Sequence, residues 1–443
     1  MRDAKEYRRL GLRAVRIGGG AAAIFVAALM AACGQDTERI PGTFYAAPDP
    51  LPEGAPGQVI RTESTGTPPG GGNARRILYH SRTDDGRDIA TSALFVLPEG
   101  APPPGGFPLM VMAHGTAGLG RTCGVSVQPY TQLAAFGNEP QYDQFQPYVE
   151  AGFAVVAPDY QGLGVAGPPS YLVGRVEAQN VIDAAIAAHQ LAGGQLSQDT
   201  FFWGHSQGGH SAAFAAEMLS NRSVPFRLLG TILVAPATLL RDVMQDVIDD
   251  DPIPQPGEAA AFLLFAAISY AETYPDLSLD QILTTCTPEE SKPCGTNAVP
   301  IASQNCLETA VAPFLLMSEI GTKASAYVNF PLPRVWVDRL CQNDVGNVPM
   351  PSPVLMVQGT ADTTLPVGMN CDYFENVACP QDVSIQFTLY PGATHTSVPS
   401  VAFPDILAWE RARLAGDAAP SNCGSPPAFC GTVTPSEFCE SGG

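Results

Sequence analysis

The 443-residue chain is 45% hydrophobic, which excludes a disordered protein, and only 15% charged, with 44 Gly and 42 Pro that promise many turns. It carries 23 Lys and Arg against 43 Asp and Glu, a net charge of −20. Six of the basic residues fall before residue 33, so the rest of the chain holds 17 basic and 41 acidic groups, a balance that repels phosphate backbones and argues against nucleic acid as a partner.

Residues 1–33 read as an address. A basic stretch to Arg16 precedes an apolar run, Ile17 to Ala32, of about 16 residues, shorter than the roughly 20 that span a bilayer. Met30-Ala31-Ala32-Cys33-Gly34 resembles a bacterial lipobox, with Met30 where Leu is usual. The expectation is export from a bacterial cell with Cys33 acylated as a membrane anchor, ordinary cleavage and free secretion being the alternative. Residues 34–73, rich in Pro, Gly, Thr and Ala and without apolar periodicity, read as a tether.

Two apolar runs between Arg75 and Leu97 flank Thr83-Asp84-Asp85-Gly86-Arg87 and predict a hairpin. Beyond it, short buried strands alternate with helices: strands at Leu109 to Ala113, Ala154 to Ala157, Phe201 to Trp203, Leu228 to Val234, Val354 to Gln358 and Ile385 to Tyr390, helices at Gln141 to Glu150, Arg175 to Leu191, Gly208 to Ser220 and Val401 to Leu414. That alternation predicts an α/β protein with a mostly parallel, doubly wound sheet. A core over 74–238 and 350–415 is interrupted by residues 239–349, too long for a loop and therefore expected to be a helical cap or lid. Its apolar segment Ala259 to Ile268 could line a lipid-facing tunnel or be a buried structural helix.

Gly204-His205-Ser206-Gln207-Gly208 lies between a predicted strand and a predicted helix, the setting a nucleophilic serine needs on a sharp turn, where Cβ atoms at the two glycines would obstruct the bend. A serine needs a base, and His395, in the loop after the last predicted strand, is the candidate; His205 adjoins the serine but reads as pointing elsewhere, and His210 reads as a packing contact. Asp362, in Gly359-Thr360-Ala361-Asp362 after the preceding strand, is the candidate for orienting that histidine, ahead of Asp372 and Asp382. The backbone N–H groups of Gln207 and of Thr116, or else Ala117, are candidates for an oxyanion hole. No metal or organic cofactor is expected.

Eleven cysteines, less an acylated Cys33, leave ten for disulfides. Nearness in sequence favours local closures: Cys286 with Cys294, Cys371 with Cys379, and two of Cys423, Cys430 and Cys439, which would pin the tail, 416–443, to the surface.

Five segments together resemble one family: His114-Gly115-Thr116, Ala157-Pro158-Asp159-Tyr160-Gln161-Gly162-Leu163-Gly164, Gly204-His205-Ser206-Gln207-Gly208-Gly209, Gly359-Thr360-Ala361-Asp362 and Gly392-Ala393-Thr394-His395. They look like an α/β-hydrolase of the secretory lipase family, the fungal lipase A type and its bacterial relatives. The resemblance implies that Ser206, Asp362 and His395 form the triad, that 239–349 is the cap, and that the activity is hydrolysis of carboxylic esters, acylglycerols among them. Another activity on the same fold, a serine peptidase or an acyltransferase, is the alternative, and a non-enzymatic binding protein a more distant one. The expected partner is a small-molecule or lipid ester.

Overall fold

The apolar runs become strands because each is long enough to cross a sheet covered on both faces. The strands are β1 (Val59–Gly66), β2 (Asn73–Arg82), β3 (Asp88–Leu97), β4 (Phe107–Ala113), β5 (Ala154–Pro158), β6 (Leu196–His205), β7 (Arg227–Val234), β8 (Val354–Gly359) and β9 (Ile385–Tyr390). They form one nine-stranded sheet in the order β1-β2-β3-β5-β4-β6-β7-β8-β9. This computed structural model describes residues 42–68, 71–127, 141–243, 256–285, 294–307, 326–432 and Cys439.

From β5 onward every neighbouring pair is parallel, while β1, β2, β3 and β5 pair antiparallel. The β2–β3 hairpin keeps register from Asn73↔Leu97 to Arg82↔Asp88, and Gly86 closes its turn at φ +84°. Side chains alternate along the central strands. Leu109, Val111 and Ala113 of β4 enter one core, while Met110 and Met112 enter the other.

Helices cover both faces, as parallel sheets require. The second core takes residues of α1 (Gln141–Glu150) and α8 (Val398–Leu414), including Tyr148, Ile406 and Trp409. The first takes α2 (Gly174–Ala192) and α3 (Gln207–Met218). Gly193 ends α2 in the left-handed region at φ +58°, where a Cβ would be strained.

Between β7 and β8 the described residues include α4 (Pro256–Thr273), α5 (Gly295–Gln304) and α6 (Arg334–Gln342). The apolar segment of α4 is largely interior: Ala261, Leu264, Phe265 and Tyr270 are completely buried in the same core as α2 and α3. Each buried Leu or Phe contributes about 1.5–3 kcal/mol, so α4 is anchored by packing rather than by its loops.

Two expectations are corrected. Residues 42–68 are not a bare tether: β1 extends the sheet beside β2, and Phe44 and Tyr45 are buried against Leu78, Ala90 and Val165. The strand was hidden because β1 lies at the sheet edge, where its backbone pairs while its side chains stay partly or fully exposed, so no alternation appears in the sequence. The second correction is the pairing of Cys371 with Cys379 and of the tail cysteines with one another. The bonds are Cys123–Cys306, Cys341–Cys439, Cys371–Cys430 and Cys379–Cys423, and Cys294 is also disulfide-bonded.

Cys371 and Cys379 do not pair because one continuous helical stretch, α7 (Val367–Asp372) running into a π-helical turn at Tyr373–Ala378, separates them. Eight residues of helix rise about 12 Å, well beyond the roughly 7 Å that a disulfide can span between Cα atoms. The tail instead returns along the edge strand β9: Asn422 donates to Phe387 O at 2.9 Å and accepts from Phe387 N at 2.8 Å. That fold-back brings each tail cysteine to a partner on the main body. Residues 1–33, with Cys33, and Cys286 lie outside the described residues. Among the described residues no helix is long and apolar enough to cross a membrane, and no group of three or more His, Cys, Asp and Glu is gathered as a metal site.

Candidate active site

Ser206 stands alone between β6 and α3, half-buried, with φ +58° and ψ −120°. A non-glycine residue in that region costs about 1–3 kcal/mol, and the surroundings hold it there. Ser206 N donates to Val234 O at 3.0 Å, while Gly209 N and His210 N donate back to Ser206 O. A Cβ on Gly204 would lie 1.9 Å from Gly208 O, and one on Gly208 would lie 1.9 Å from Ala113 O. The two glycines are therefore a steric requirement of the turn.

His395 sits in the loop between β9 and α8 with its side chain 11% exposed. Its Nδ1 lies 2.8 Å from Asp362 Oδ2. Asp362, in the loop after β8, has a fully buried side chain whose Oδ1 accepts the Thr364 and Leu365 N–H groups, both at 2.9 Å, and whose Oδ2 also accepts Gln358 Nε2 at 2.8 Å. Asn370 in turn donates to Gln358 Oε1, and Thr238 donates to Asn370. With Nδ1 donating to the carboxylate, Nε2 is the ring atom left to accept a proton.

His205 is a residue that the sequence reading passed over. Its Nε2 donates to the His395 carbonyl oxygen at 2.9 Å, and the two rings stand 4.6 Å apart. Burial and the neighbouring His395 push its pKa down to about 3, so the ring is neutral at working pH. The signal was present, since a residue at the tip of a strand must face whatever loop crosses it, but the crossing loop comes from 190 positions away. His210 is the packing contact expected of it, with Nε2 donating to Asn343 O at 2.7 Å. Asp372 pairs with Arg241 instead of a histidine.

Thr116 and Gln207 come from two loops that meet at the turn. A Cβ on Gly115 would lie 3.8 Å from Ser206 Cβ, so the loop after β4 packs directly on the serine. Thr116 Oγ1 lies 3.0 Å from the Tyr171 hydroxyl, and Gln207 Nε2 donates to Glu177 Oε1 at 2.5 Å. The Asp159-Tyr160 pair shapes the same loop from below: Asp159 is buried and accepts from Ser92 Oγ and Ser126 N, and Tyr160 OH donates to His114 O at 3.1 Å. Chemically the site offers a hydroxyl on a strained turn, a carboxylate-bound imidazole tied to the residue before that serine, and the start of a helix whose N–H groups favour negative charge.

Comparison with known proteins bears on the fold and the family. The family described as secretory lipase matches residues 134–422. Among solved structures, Candida antarctica lipase A superposes with a TM-score of 0.69 at 18% identity, covering 89% of this chain and 91% of that one. The rice cell wall degrading esterase LipA from Xanthomonas oryzae superposes with a TM-score of 0.62 at 17% identity, covering 82% and 97%. At such identities the likeness speaks for the fold, which is that of an α/β-hydrolase. No curated protein matches the sequence. The family match spans more than half of the chain, and the protein therefore belongs to the secretory lipase family and is a carboxylic ester hydrolase.

Proposed function

We propose that the chain cleaves carboxylic esters, acylglycerols among them, with Ser206 as nucleophile, His395 as general base and then acid, and Asp362 as the carboxylate that orients His395. The observations that carry this reading are the 2.8 Å contact between His395 Nδ1 and Asp362 Oδ2, the hydrogen bond from His205 to the His395 carbonyl, and the serine after His205 held at φ +58°. Ser206 Oγ attacks the ester carbonyl and passes its proton to His395 Nε2; the alcohol leaves with that proton, and water clears the acyl-enzyme by the same route. Charge gathering on the carbonyl oxygen is taken by the Gln207 and Thr116 N–H groups, each such donor contributing on the order of 3 kcal/mol in the transition state. The step needs no cofactor.

Residues 239–349 act in this reading as the cap over the acyl site, a role supported by their position between two adjacent strands of the core. The family and the disulfides fit an exported protein. The Met30-to-Gly34 motif supports removal of residues 1–32 and acylation of Cys33 as the bacterial membrane anchor.

The test is hydrolysis of p-nitrophenyl esters from short to long acyl chains, beside Ser206→Ala. Activity sustained at long chains with an inactive variant is the expected result. Activity confined to short chains would reduce the reading to a carboxylesterase, and an active Ser206→Ala would overturn it.

A further inference from the structure

Glu177 is a buried acid that the proposed chemistry leaves unused. Its side chain, on the first turn of α2, is wholly inside the protein, and among the described residues no cation pairs with it. Such a group is costly unless its hydrogen bonds are filled. They are filled by one neighbourhood. Glu177 Oε1 accepts Gln207 Nε2 at 2.5 Å and Leu172 N at 3.2 Å, and Oε2 lies 2.6 Å from Ser211 Oγ. Ser211 Oγ is also 3.0 Å from Gln207 O, and one hydroxyl proton cannot serve both acceptors in full. A protonated Glu177 resolves this, donating to Ser211, which donates to Gln207 O. Burial, raising its pKa to about 8, acts in the same direction.

The residue next to Leu172 does the equivalent work on the other side. Tyr171 shares a 3.0 Å hydrogen bond with Thr116 Oγ1, and Leu172 is held at φ +56°, a region that a leucine enters only under constraint. The constraint comes from α4. Ser269 Oγ accepts Tyr171 N at 3.0 Å, Tyr270 OH donates to Leu172 O at 3.1 Å, and the Phe265 ring packs edge-on against Tyr171 at 5.7 Å. One dipeptide thus touches Thr116 directly, reaches Gln207 through the Glu177 carboxyl, and is held by α4 as well.

We propose that Glu177 and Tyr171 are positioning residues for the oxyanion hole, Glu177 fixing the first turn of α3 that presents the Gln207 N–H and Tyr171 fixing the loop that presents the Thr116 N–H. The proposal rests on the Ser206 reading. Neither side chain touches substrate; both set where the donors stand, a placement on which a misfit of about 1 Å costs up to 10²-fold in rate. Through Ser269 and Tyr270 the same dipeptide is bolted to α4, so the placement of that helix and the geometry of the hole are one property.

The experiment compares Tyr171→Phe, Glu177→Ala, their double variant and Glu177→Gln with the parent enzyme and with Ser206→Ala. Tyr171→Phe and Glu177→Ala are each expected to lower kcat about tenfold while KM stays within about twofold, the mark of an interaction made in the transition state. Phosphorylation of Ser206 by diethyl p-nitrophenyl phosphate, whose phosphoryl oxygen occupies the hole, should slow in parallel, a readout that loss of packing alone does not move. Glu177→Gln should recover most of the loss, because its amide keeps an acceptor for Gln207 and Leu172. The double variant should lose less than the product of the single losses, since both act through one dipeptide.

Unchanged kcat in the two folded single variants overturns the proposal, as does a loss in Glu177→Gln equal to that in Glu177→Ala. If Glu177→Ala does not fold, Tyr171→Phe and Glu177→Gln decide the matter. An active Ser206→Ala would remove the underlying reading, whereas an inactive Ser206→Ala beside unaffected positioning variants would remove this inference alone.

Discussion

His205 Nε2 lies 2.9 Å from the carbonyl oxygen of His395, so the residue before the proposed nucleophile holds the main chain of the residue proposed as its base. A carbonyl only accepts, which fixes the His205 proton on Nε2, and its depressed pKa keeps the ring neutral. His205→Phe keeps an aromatic ring against His395 but drops the bond. It is expected to lower kcat about tenfold with little change in KM, and His205→Gln, which can still donate, should restore much of the loss. Steady-state kinetics of the two variants checks this, and equal activity in His205→Phe and the parent would contradict it.

The stretch between β7 and β8 is stitched to the loop that carries Thr116. Cys123 is bonded to Cys306 across 183 positions, Leu307 N donates to Ala117 O at 2.9 Å, and Gly120 N donates to Asn305 O at 3.2 Å. A Cys123→Ser/Cys306→Ser variant is expected to lose on the order of 2–4 kcal/mol of stability, because a long closed loop is released in the unfolded chain. A urea midpoint equal to that of the parent would contradict the expectation. Non-reducing peptide mapping should, in the same samples, find tail peptides joined to those holding Cys341, Cys371 and Cys379.

Stability should fall as pH rises from about 6.5 to 8. Burial raises Glu217 and Asp344 to about 7 and Glu177 to about 8, all above their ordinary carboxylate values. In the unfolded chain these groups are ionised throughout that window, while in the folded protein they keep part of their protons. Unfolding therefore releases protons, and higher pH favours the unfolded state. His205 and His210, lowered to about 3 and about 4, are neutral in the fold but about half protonated in the unfolded chain at pH 6.5, so they oppose the trend at the lower edge of the window, by less than the three carboxyls whose native values lie inside it. Thermal melts at pH 6.5 and pH 8 test this; a Tm that is level or higher at pH 8 would show that the buried carboxyls are ionised in the fold.

What the sequence determined by itself is what local chemistry enforces. Continuous apolar runs such as Leu109 to Ala113 have one way to be buried on both faces, as central strands, and Gly204 and Gly208 are demanded by a turn that leaves no room for a Cβ. Ser206, Asp362 and His395 each follow a strand end, those of β6, β8 and β9, and the alternation marks out those ends in the sequence. Tertiary structure decided everything that depends on contacts between distant segments. The exposed edge strand Val59–Gly66 has no pattern until β2 pairs with it. The cysteine partners depend on a rigid helical stretch between Cys371 and Cys379 and on the return of the tail along β9. His205 and Glu177 gain their partners only when loops far apart in the chain converge, because a hydrogen bond is set by distance in space, which separation along the sequence does not encode.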